Sequence, residues 1–434
     1  MVHIKNKTEV IVVGGGPAGI SAATIIARAG KNVVLIERGN FSGSKNVFGG
    51  AIYVQPTKEI FPNFEEFAPL ERKTVAHNYV MCTEQESVSI SFMDRNVTAN
   101  SYSVIRAKFD RWMAQEAQKE GVVIVTETLV NELIIKENKV IGVKTELEEY
   151  FADIVILADG VNSLLAKQAG LRKEIKPKDV ALGVKEVIKL NEEKINERFN
   201  LKKGEGAIYE FFGDPMLEML GLSYLYTNKD TISLGIGISL DELAKRKLKP
   251  YELLDRLKSH PSVAPLLKDG ELVEYSAHLI PEGGYNKVPK LYSHGVLVAG
   301  DSAMLVNNVH WEGTNLAMIS GKLAGETAIE AINKQDFSAN TLAVYHKKLE
   351  NSFILKDLKS YKNVMDILHH RSESFLGYYP RKIVGFFKMF TTVDSIPKRD
   401  KFRKFIQSIF TDRSLSELFK DAFNFIKLGL GVLK

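Results

Sequence analysis

The chain has 434 residues, 45% of them hydrophobic and 26% charged, which describes a folded protein with a sizeable core and excludes disordered, collagen-like and coiled-coil classes. Lys and Arg exceed Asp and Glu by 58 to 53, and a net charge of +5 is too small to imply nucleic acid without a focused basic patch. The single cysteine, Cys82, excludes an internal disulfide, a zinc site of several thiolates, and an iron–sulfur cluster held by the chain's own cysteines.

The first apolar run, Val10 to Val13, meets Gly14, Gly15 and Gly16 before any signal-peptide core is complete, so it reads as a buried strand. No stretch reaches the roughly 18 consecutive apolar residues of a spanning helix, and the expected location is the cytoplasm, with membrane-surface contact left open. Helical composition over 18–28 and a second apolar run over 33–36 complete a β-α-β unit. Between them Gly14-Gly15-Gly16-Pro17-Ala18-Gly19 satisfies G-x-G-x-x-G. Gly14 permits a tight turn, Gly16 lets backbone approach a pyrophosphate, Gly19 allows close helix–strand packing, and the helix N-terminus favours negative charge. Glu37 ends the second strand, where a carboxylate accepts hydrogen bonds from ribose hydroxyls and repels a 2′-phosphate.

Further along, a helix is expected over 106–120, strands over 122–125, 140–143 and 154–158, predominantly strands from about 180 to 290, a short strand over 295–299, and a helix over 316–331. Beyond about 340 the chain reads as helical, basic and aromatic. The expected fold is α/β: a discontinuous Rossmann-type nucleotide domain (1–75, 104–175 and 290–340), a mainly β substrate domain (76–103 and 176–289) and a helical C-terminal region (341–434).

The fingerprint alone does not separate NAD from FAD. Two apolar strands end in Asp159-Gly160 and Gly300-Asp301, each of which is also compatible with an ordinary turn. In this order, after a Rossmann start, they resemble the FAD-dependent hydroxylase and reductase superfamily, whose nucleotide domain is glutathione-reductase-like. The resemblance implies FAD, with Asp301 on the ribityl hydroxyls. It also implies that Arg106, opening Arg-x-x-Phe-Asp-x-x-Met, faces the cofactor; a surface salt bridge is the alternative. Gly313-Thr314-Asn315 opens a helix whose amides suit an anionic flavin N1–C2=O edge. No second G-x-G-x-x-G lies between a strand and a helix, since Gly235 and Gly237 sit in an alternating β pattern, so no separate NAD(P)H domain is expected.

Several segments carry a narrower resemblance: Ser44 to Gly50, Gly204 to Pro215, Leu225 to Asp230, Pro281 to Tyr285, Gly300 to Ala303 and Val393 to Lys398. Together they are similar to electron transfer flavoprotein:quinone oxidoreductases, and specifically to the stand-alone FixC-type subunit. The resemblance implies FAD as the only prosthetic group, a quinone as acceptor and an electron transfer flavoprotein α/β pair as donor. Fused members of the family hold a [4Fe–4S] cluster on four cysteines; with Cys82 alone, that cluster would sit on a separate small ferredoxin-like subunit. Similar assemblies bifurcate electrons, chemistry that would belong to the flavoprotein partner.

The cofactor set expected from motif and resemblance together is Gly14, Gly16, Pro17, Ala18, Gly19, Glu37, Arg38, Lys45, Gly49, Gly50, Arg106, Leu129, Val130, Asp159, Gly160, Gly300, Asp301, Gly313, Thr314 and Asn315, with no metal ligand. At the quinone, the resemblance points to the bare backbone of Gly283 and Gly284, with Tyr285, His310 and Trp311 lining the cavity and His310 carrying a proton. A plain Gly-Gly turn and a packed or exposed histidine remain the alternatives.

From Lys398 to Lys434 nine Lys or Arg face four Asp or Glu, so this tail holds the whole net charge. Phe402, Phe405, Ile406, Ile409 and Phe410, then Phe419, Phe423, Ile426 and Leu430, fall at helical spacing among Lys401, Arg403 and Lys404. Such segments suit either an anionic bilayer surface, giving a peripheral or monotopic protein, or packing on the core or the ferredoxin-like subunit. The rival activities are a geranylgeranyl-reductase-like enzyme, an aromatic-ring flavin hydroxylase, and an assembly subunit whose FAD never cycles.

Overall fold

The computed structural model describes residues 7–45, 50–96 and 100–433, with side chains as far as residue 429. The chain forms two compact units, Met1–Glu71, Ala99–Val180 and His278–Lys359 in the first, Arg72–Thr98, Ala181–Ala277 and Ser360–Lys434 in the second.

The first unit is built on a parallel sheet in the order Val296–Val298, Glu149–Leu157, Lys7–Val13, Val33–Ile36, Val123–Val125. Its strands are continuous apolar runs because both faces are covered; Val10, Ile11, Val12, Leu35 and Ile154 to Leu157 are fully buried. The hairpin of Val130–Lys136 and Lys139–Thr145 joins through the second of these strands to Glu149–Leu157, antiparallel.

Pro17 opens the helix Pro17–Arg28, where its fixed φ and missing N–H cost nothing. This helix lies against the long helix Thr314–Lys334 without side chains between the backbones. A Cβ on Gly321 would stand 2.0 Å from the Ala18 carbonyl oxygen, and one on Gly325 would stand 2.8 Å from that of Ala22.

The second unit carries a mostly antiparallel sheet ordered Glu271–Pro281, Val180–Lys189, Thr231–Ser239, Gly221–Thr227, Glu205–Gly213, Leu70–Cys82, with Ser87–Met93 on the last of these. Gly235 lies within a strand and makes room for an aromatic ring, since a Cβ there would be 2.4 Å from Tyr224 Cζ. The Arg72 guanidinium is wholly buried and donates to the backbone oxygens of Asn228 (2.5 Å), Glu205 (2.8 Å) and Lys229 (3.1 Å) and to Asn196 Oδ1 (2.6 Å). Cys82 is buried in the same unit, and burial, with Asp214 nearby, pushes its thiol up to about 12.

The chain ends in the helices Val364–Ser372, Tyr379–Thr391, Lys398–Asp412 and Leu415–Leu433, the first two joined by a π-helical turn over Glu373–Tyr378. Asp421 is fully buried among them and meets Arg413 Nη1 at 2.6 Å, Arg371 Nη2 at 2.9 Å and the Tyr379 hydroxyl at 3.2 Å. Phe405 packs on Phe386 with ring centroids 5.7 Å apart, whereas Phe402, Ile406 and Phe410 form an exposed stripe. Phe419, Phe423 and Ile426 form another on the last helix. None of the described helices is long and apolar enough to cross a membrane.

Candidate cofactor site

Strand register sets the site. Val13 pairs with both Leu157 and Ile36, and Leu157 with Val298, so four parallel strands end at one level and deliver Gly14, Glu37, Ala158 and Ala299 to a common edge. Ligands of open α/β sheets bind at this carboxyl edge.

Two glycines of the turn are imposed by contact. Gly14 has φ +104° and a Cβ there would lie 2.2 Å from the Ala158 oxygen, while one on Gly19 would lie 1.9 Å from the Gly14 oxygen. A Cβ on Gly16 would meet nothing within 4 Å, so its backbone faces open space. Pro17 and Ala18 are buried in the first helical turn.

Glu37 is buried at the end of its strand, where Oε2 accepts the Gly15 N–H at 2.7 Å and Oε1 accepts that of Gly39 at 2.6 Å. Its backbone oxygen accepts the N–H of Thr128 at 3.0 Å, which brings exposed Leu129 and buried Val130 just beyond the same edge. Beside these groups the hydroxyls of Ser42 and Ser44 are buried without a hydrogen-bond partner, 2.5 Å and 2.1 Å from where Cβ atoms of Gly15 and Gly39 would stand. Arg38 and Lys45 are exposed and Gly50 is buried, while Gly49 lies outside the described residues.

The second cluster joins the Asp159-Gly160 and Gly300-Asp301 motifs. The Ser302 hydroxyl accepts the Gly160 N–H and donates to Asp159 Oδ1, both at 2.9 Å, and Ser163 donates to the same carboxylate oxygen at 2.8 Å. Arg172 Nη1 donates to the Ser302 backbone oxygen at 3.2 Å. Gly300 has φ +63°, and its N–H is held by Ser320 Oγ at 2.9 Å. Burial pushes the Asp301 carboxyl up to about 6, with Arg106 and Arg172 opposing the rise. Asp159 is raised too, by burial first, with the two serine hydroxyls and Arg172 pulling it down.

Arg106 does not lie in a surface salt bridge. Its guanidinium grips the fully buried Asp110 with two bonds of 2.8 Å and 2.9 Å and reaches Thr314 Oγ1 at 3.3 Å. Gly313 caps the 21-residue helix that Thr314 begins, and Asn315 donates to Glu312 Oε2 at 3.0 Å while its own Oδ1 is buried without a partner. His278 is half-buried in the same unit, and burial, then Arg106 and Arg38, make its ring harder to protonate.

A second loop carries the remaining expected residues. Gly283 is packed, since a Cβ there would be 2.3 Å from Lys287 Cβ, whereas Gly284, at φ +57°, faces open space. Tyr285 is half-buried against the first unit's core. Trp311 is half-buried at φ +56°, and His310 is exposed, with its N–H 3.4 Å from Asn307 Oδ1.

An open glycine cradle, a ribose-competent carboxylate and three orphaned polar atoms, on Ser42, Ser44 and Asn315, fit a polar dinucleotide laid along this edge. Sequence reasoning missed Ser302, Arg172, His278, Asp110, Ser42 and Ser44. Ser302, Asp110 and Ser44 lie inside motifs or segments that the sequence itself marks, whereas Arg172, His278 and Ser42 carried no local signal.

Comparison with known proteins narrows this geometry. Residues 9–178 match the FAD dependent oxidoreductase family, 180–280 match "ETF-QO, ubiquinone-binding", and 364–429 match the ETF-QO/FixC family C-terminal domain. The chain is 42% identical over 432 residues to Protein FixC of Bradyrhizobium diazoefficiens, covering 98% of this chain and 99% of that one. It belongs to the FixC family. Protein FixC of Azotobacter vinelandii is also 42% identical, over 96% of this chain and 98% of its own length. FixC of Escherichia coli K12 is 40% identical over 89% of this chain and 91% of its own.

Among solved structures, a geranylgeranyl bacteriochlorophyll reductase-like protein from Thermoplasma acidophilum has a TM-score of 0.67 at 21% identity, over 86% of this chain and 94% of that one. The flavin-dependent brominase Bmp2 has a TM-score of 0.64 at 16% identity, over 94% of this chain and all of that one. These likenesses establish the fold. As a FixC-type protein the chain is an FAD-dependent oxidoreductase with the expected α/β flavoprotein architecture.

Proposed function

We propose that the chain takes electrons from an electron transfer flavoprotein and passes them to a membrane-borne quinone. The observation that carries this reading is the unbroken succession of an FAD oxidoreductase region, a ubiquinone-binding region and a FixC C-terminal region along one chain, at 42% identity to FixC over 98% of its length.

FAD supplies two-electron redox chemistry when bound. In this reading the backbone of Gly14 to Gly19 and the N-terminus of the Pro17–Arg28 helix hold the pyrophosphate, and Glu37 takes the adenosine ribose. Asp301 accepts from the ribityl hydroxyls, most strongly in its ionised form. Arg106, kept in place by Asp110, and the Gly313–Asn315 helix start provide positive potential beside the ring. Gly283 and Gly284 offer backbone N–H groups to the acceptor, and Tyr285 and Trp311 line its approach.

The absence of a second nucleotide-binding glycine loop in the sequence favours a protein donor over a resident nicotinamide. The lone, inert Cys82 favours a separate ferredoxin-like subunit as the carrier of any cluster. The exposed aromatic stripes on the basic C-terminal helices suit a monotopic seat on an anionic bilayer, from which a lipid-soluble quinone enters. Bifurcation, where the complex performs it, resides in the flavoprotein partner.

Anaerobic mixing tests the reading. A short-chain ubiquinone reoxidises the reduced flavin rapidly, while an isoprenoid diphosphate leaves it reduced. The opposite pattern, or reoxidation by oxygen coupled to ring hydroxylation, overturns it.

A further inference from the structure

The loop before Gly283 and Gly284 holds a carboxyl that the proposed function leaves unused. Glu282 is 7% exposed, and its Oε2 has no hydrogen-bond partner. Its backbone is fixed, with its N–H on the Asp179 oxygen at 2.8 Å. Two residues on, the backbone turns through Gly284 at φ +57° into open space. A bare stretch of main chain that a ligand can approach is therefore adjacent to a buried, unpaired acid. Ionising such an acid without a partner costs several kcal/mol, so a structural role alone is poorly served by it.

The residue that holds this backbone carries an ion pair of its own. The Asp179 carboxylate lies 3.1 Å from Lys287 Nζ, and their side chains are 10% and 39% exposed. These charged side chains belong to the residue bonded to the Glu282 backbone and to the loop that follows it. Lys287 is paired with Asp179, and Arg172 lies within electrostatic reach of Asp179, Asp159 and Asp301. Burial alone pushes Glu282 up to about 7, so about half of it holds its proton at neutral pH.

We propose that Glu282 is the proton donor to the acceptor reduced at this site. The inference rests on the quinone reading above. Reduction of a quinone to quinol consumes two electrons and two protons. Both electrons and one proton come from the reduced flavin. The second proton comes from Glu282, whose O–H bond breaks as the acceptor's carbonyl oxygen gains one. Glu282 is left as a carboxylate and takes a proton back from water. Exposed His310 then has no part in this step.

The test uses the FAD-loaded protein, reduced with dithionite and mixed anaerobically with a short-chain ubiquinone, as wild type and as Glu282→Gln. The wild-type reoxidation rate falls as pH rises through about 7. Glu282→Gln keeps the native flavin spectrum and dithionite reduction, but reoxidises roughly 100-fold more slowly with no pH dependence. Glu282→Asp, which retains an acid, recovers part of the rate and of the pH dependence.

A second readout does not depend on turnover. Glu210 also titrates at about 7 and Asp301 at about 6, so the readout is a difference: the infrared carbonyl band of protonated carboxylic acid that bleaches through about pH 7 is larger in the oxidised wild type than in Glu282→Gln by one group. Wild-type rates and pH profile in Glu282→Gln, or an equal band in the two proteins, overturn the proposal and leave the quinone reading intact. A wild-type flavin that no quinone reoxidises overturns both.

Discussion

The Ser302 hydroxyl is shared between Asp159, to which it donates at 2.9 Å, and the N–H of Gly160, which it accepts at 2.9 Å. One side chain, 142 residues from Gly160, thus locks the Asp159-Gly160 and Gly300-Asp301 turns into a single floor. Ser302→Ala breaks both bonds and leaves Asp159 with Ser163 alone. At about 1 kcal/mol for each bond, FAD affinity falls by up to roughly 30-fold, read as a raised dissociation constant by flavin fluorescence, while the far-ultraviolet spectrum stays native.

The contact between the Pro17–Arg28 and Thr314–Lys334 helices tolerates no side chain at Gly321, where a Cβ would stand 2.0 Å from backbone. Gly321→Ala therefore costs about 1–3 kcal/mol of stability, despite alanine's better helix propensity. Gly385→Ala is the internal control. That glycine lies within the helix Tyr379–Thr391 with nothing within 4 Å of its Cβ position, so the same change stabilises by about 0.5–1 kcal/mol. Chemical denaturation of the two variants gives opposite signs.

Asp301 exchanges stability for cofactor binding. Its carboxyl sits at about 6 in the fold, against 3.8 for the unperturbed group, so the folded form binds its proton more tightly than the unfolded form. Its contribution to stability is then largest below about 4, declines as pH rises through 4 to 6, and stays unfavourable above. Asp301→Asn removes that penalty. The apoprotein melts several degrees higher than wild type at pH 7.5, the difference closes toward pH 4, and FAD affinity drops. Calorimetry across pH, with and without FAD, separates the two effects.

What could be read from the sequence followed from locality. Val10 to Val13, the Gly14–Gly19 turn and Glu37 lie within one β-α-β unit, and a strict glycine spacing plus a run of β-branched residues declares them. The strand Val130–Lys136 escaped notice because it alternates imperfectly. Its two-residue turn is Glu137-Asn138, at φ +50° and +61°, instead of the Asn-Gly or Asp-Gly pair that marks such hairpins. Arg172 and His278 carried no signal because their roles arise only from partners brought close by folding, as with Arg172 and Ser302, 130 residues apart. Arg106 carried half of one: its position was marked, but the buried acid that orients it lies in the same helix, four residues on.

Asp421 holds the C-terminal helices by charge. Removing the carboxylate in Asp421→Ala leaves Arg413 and Arg371 facing each other in a largely buried space. The cost is about 3–5 kcal/mol, enough to unfold the region selectively. Limited proteolysis then cleaves within 360–434 while flavin fluorescence in the first unit is retained.

The basic tail offers a direct test of membrane seating, with one choice of residue dictated by the structure. Lys401 is unsuitable for charge reversal because it is 9% exposed, pairs with Asp394 at 2.7 Å and donates to the Thr392 oxygen at 3.0 Å. Arg399, Arg403 and Lys404 are exposed. Reversing these three to Glu weakens partitioning onto anionic liposomes roughly 100-fold, at about 1 kcal/mol for each lost cation. Partitioning that is unchanged removes the membrane assignment.

The buried Cys82 leaves the folded surface without a native nucleophilic sulfur. A cysteine engineered at any exposed position is then the sole target for maleimide dyes, spin labels or photocrosslinkers, with no background substitution needed first. Site-by-site labelling can map which faces become protected when donor, small subunit or bilayer is added, in an otherwise unaltered chain.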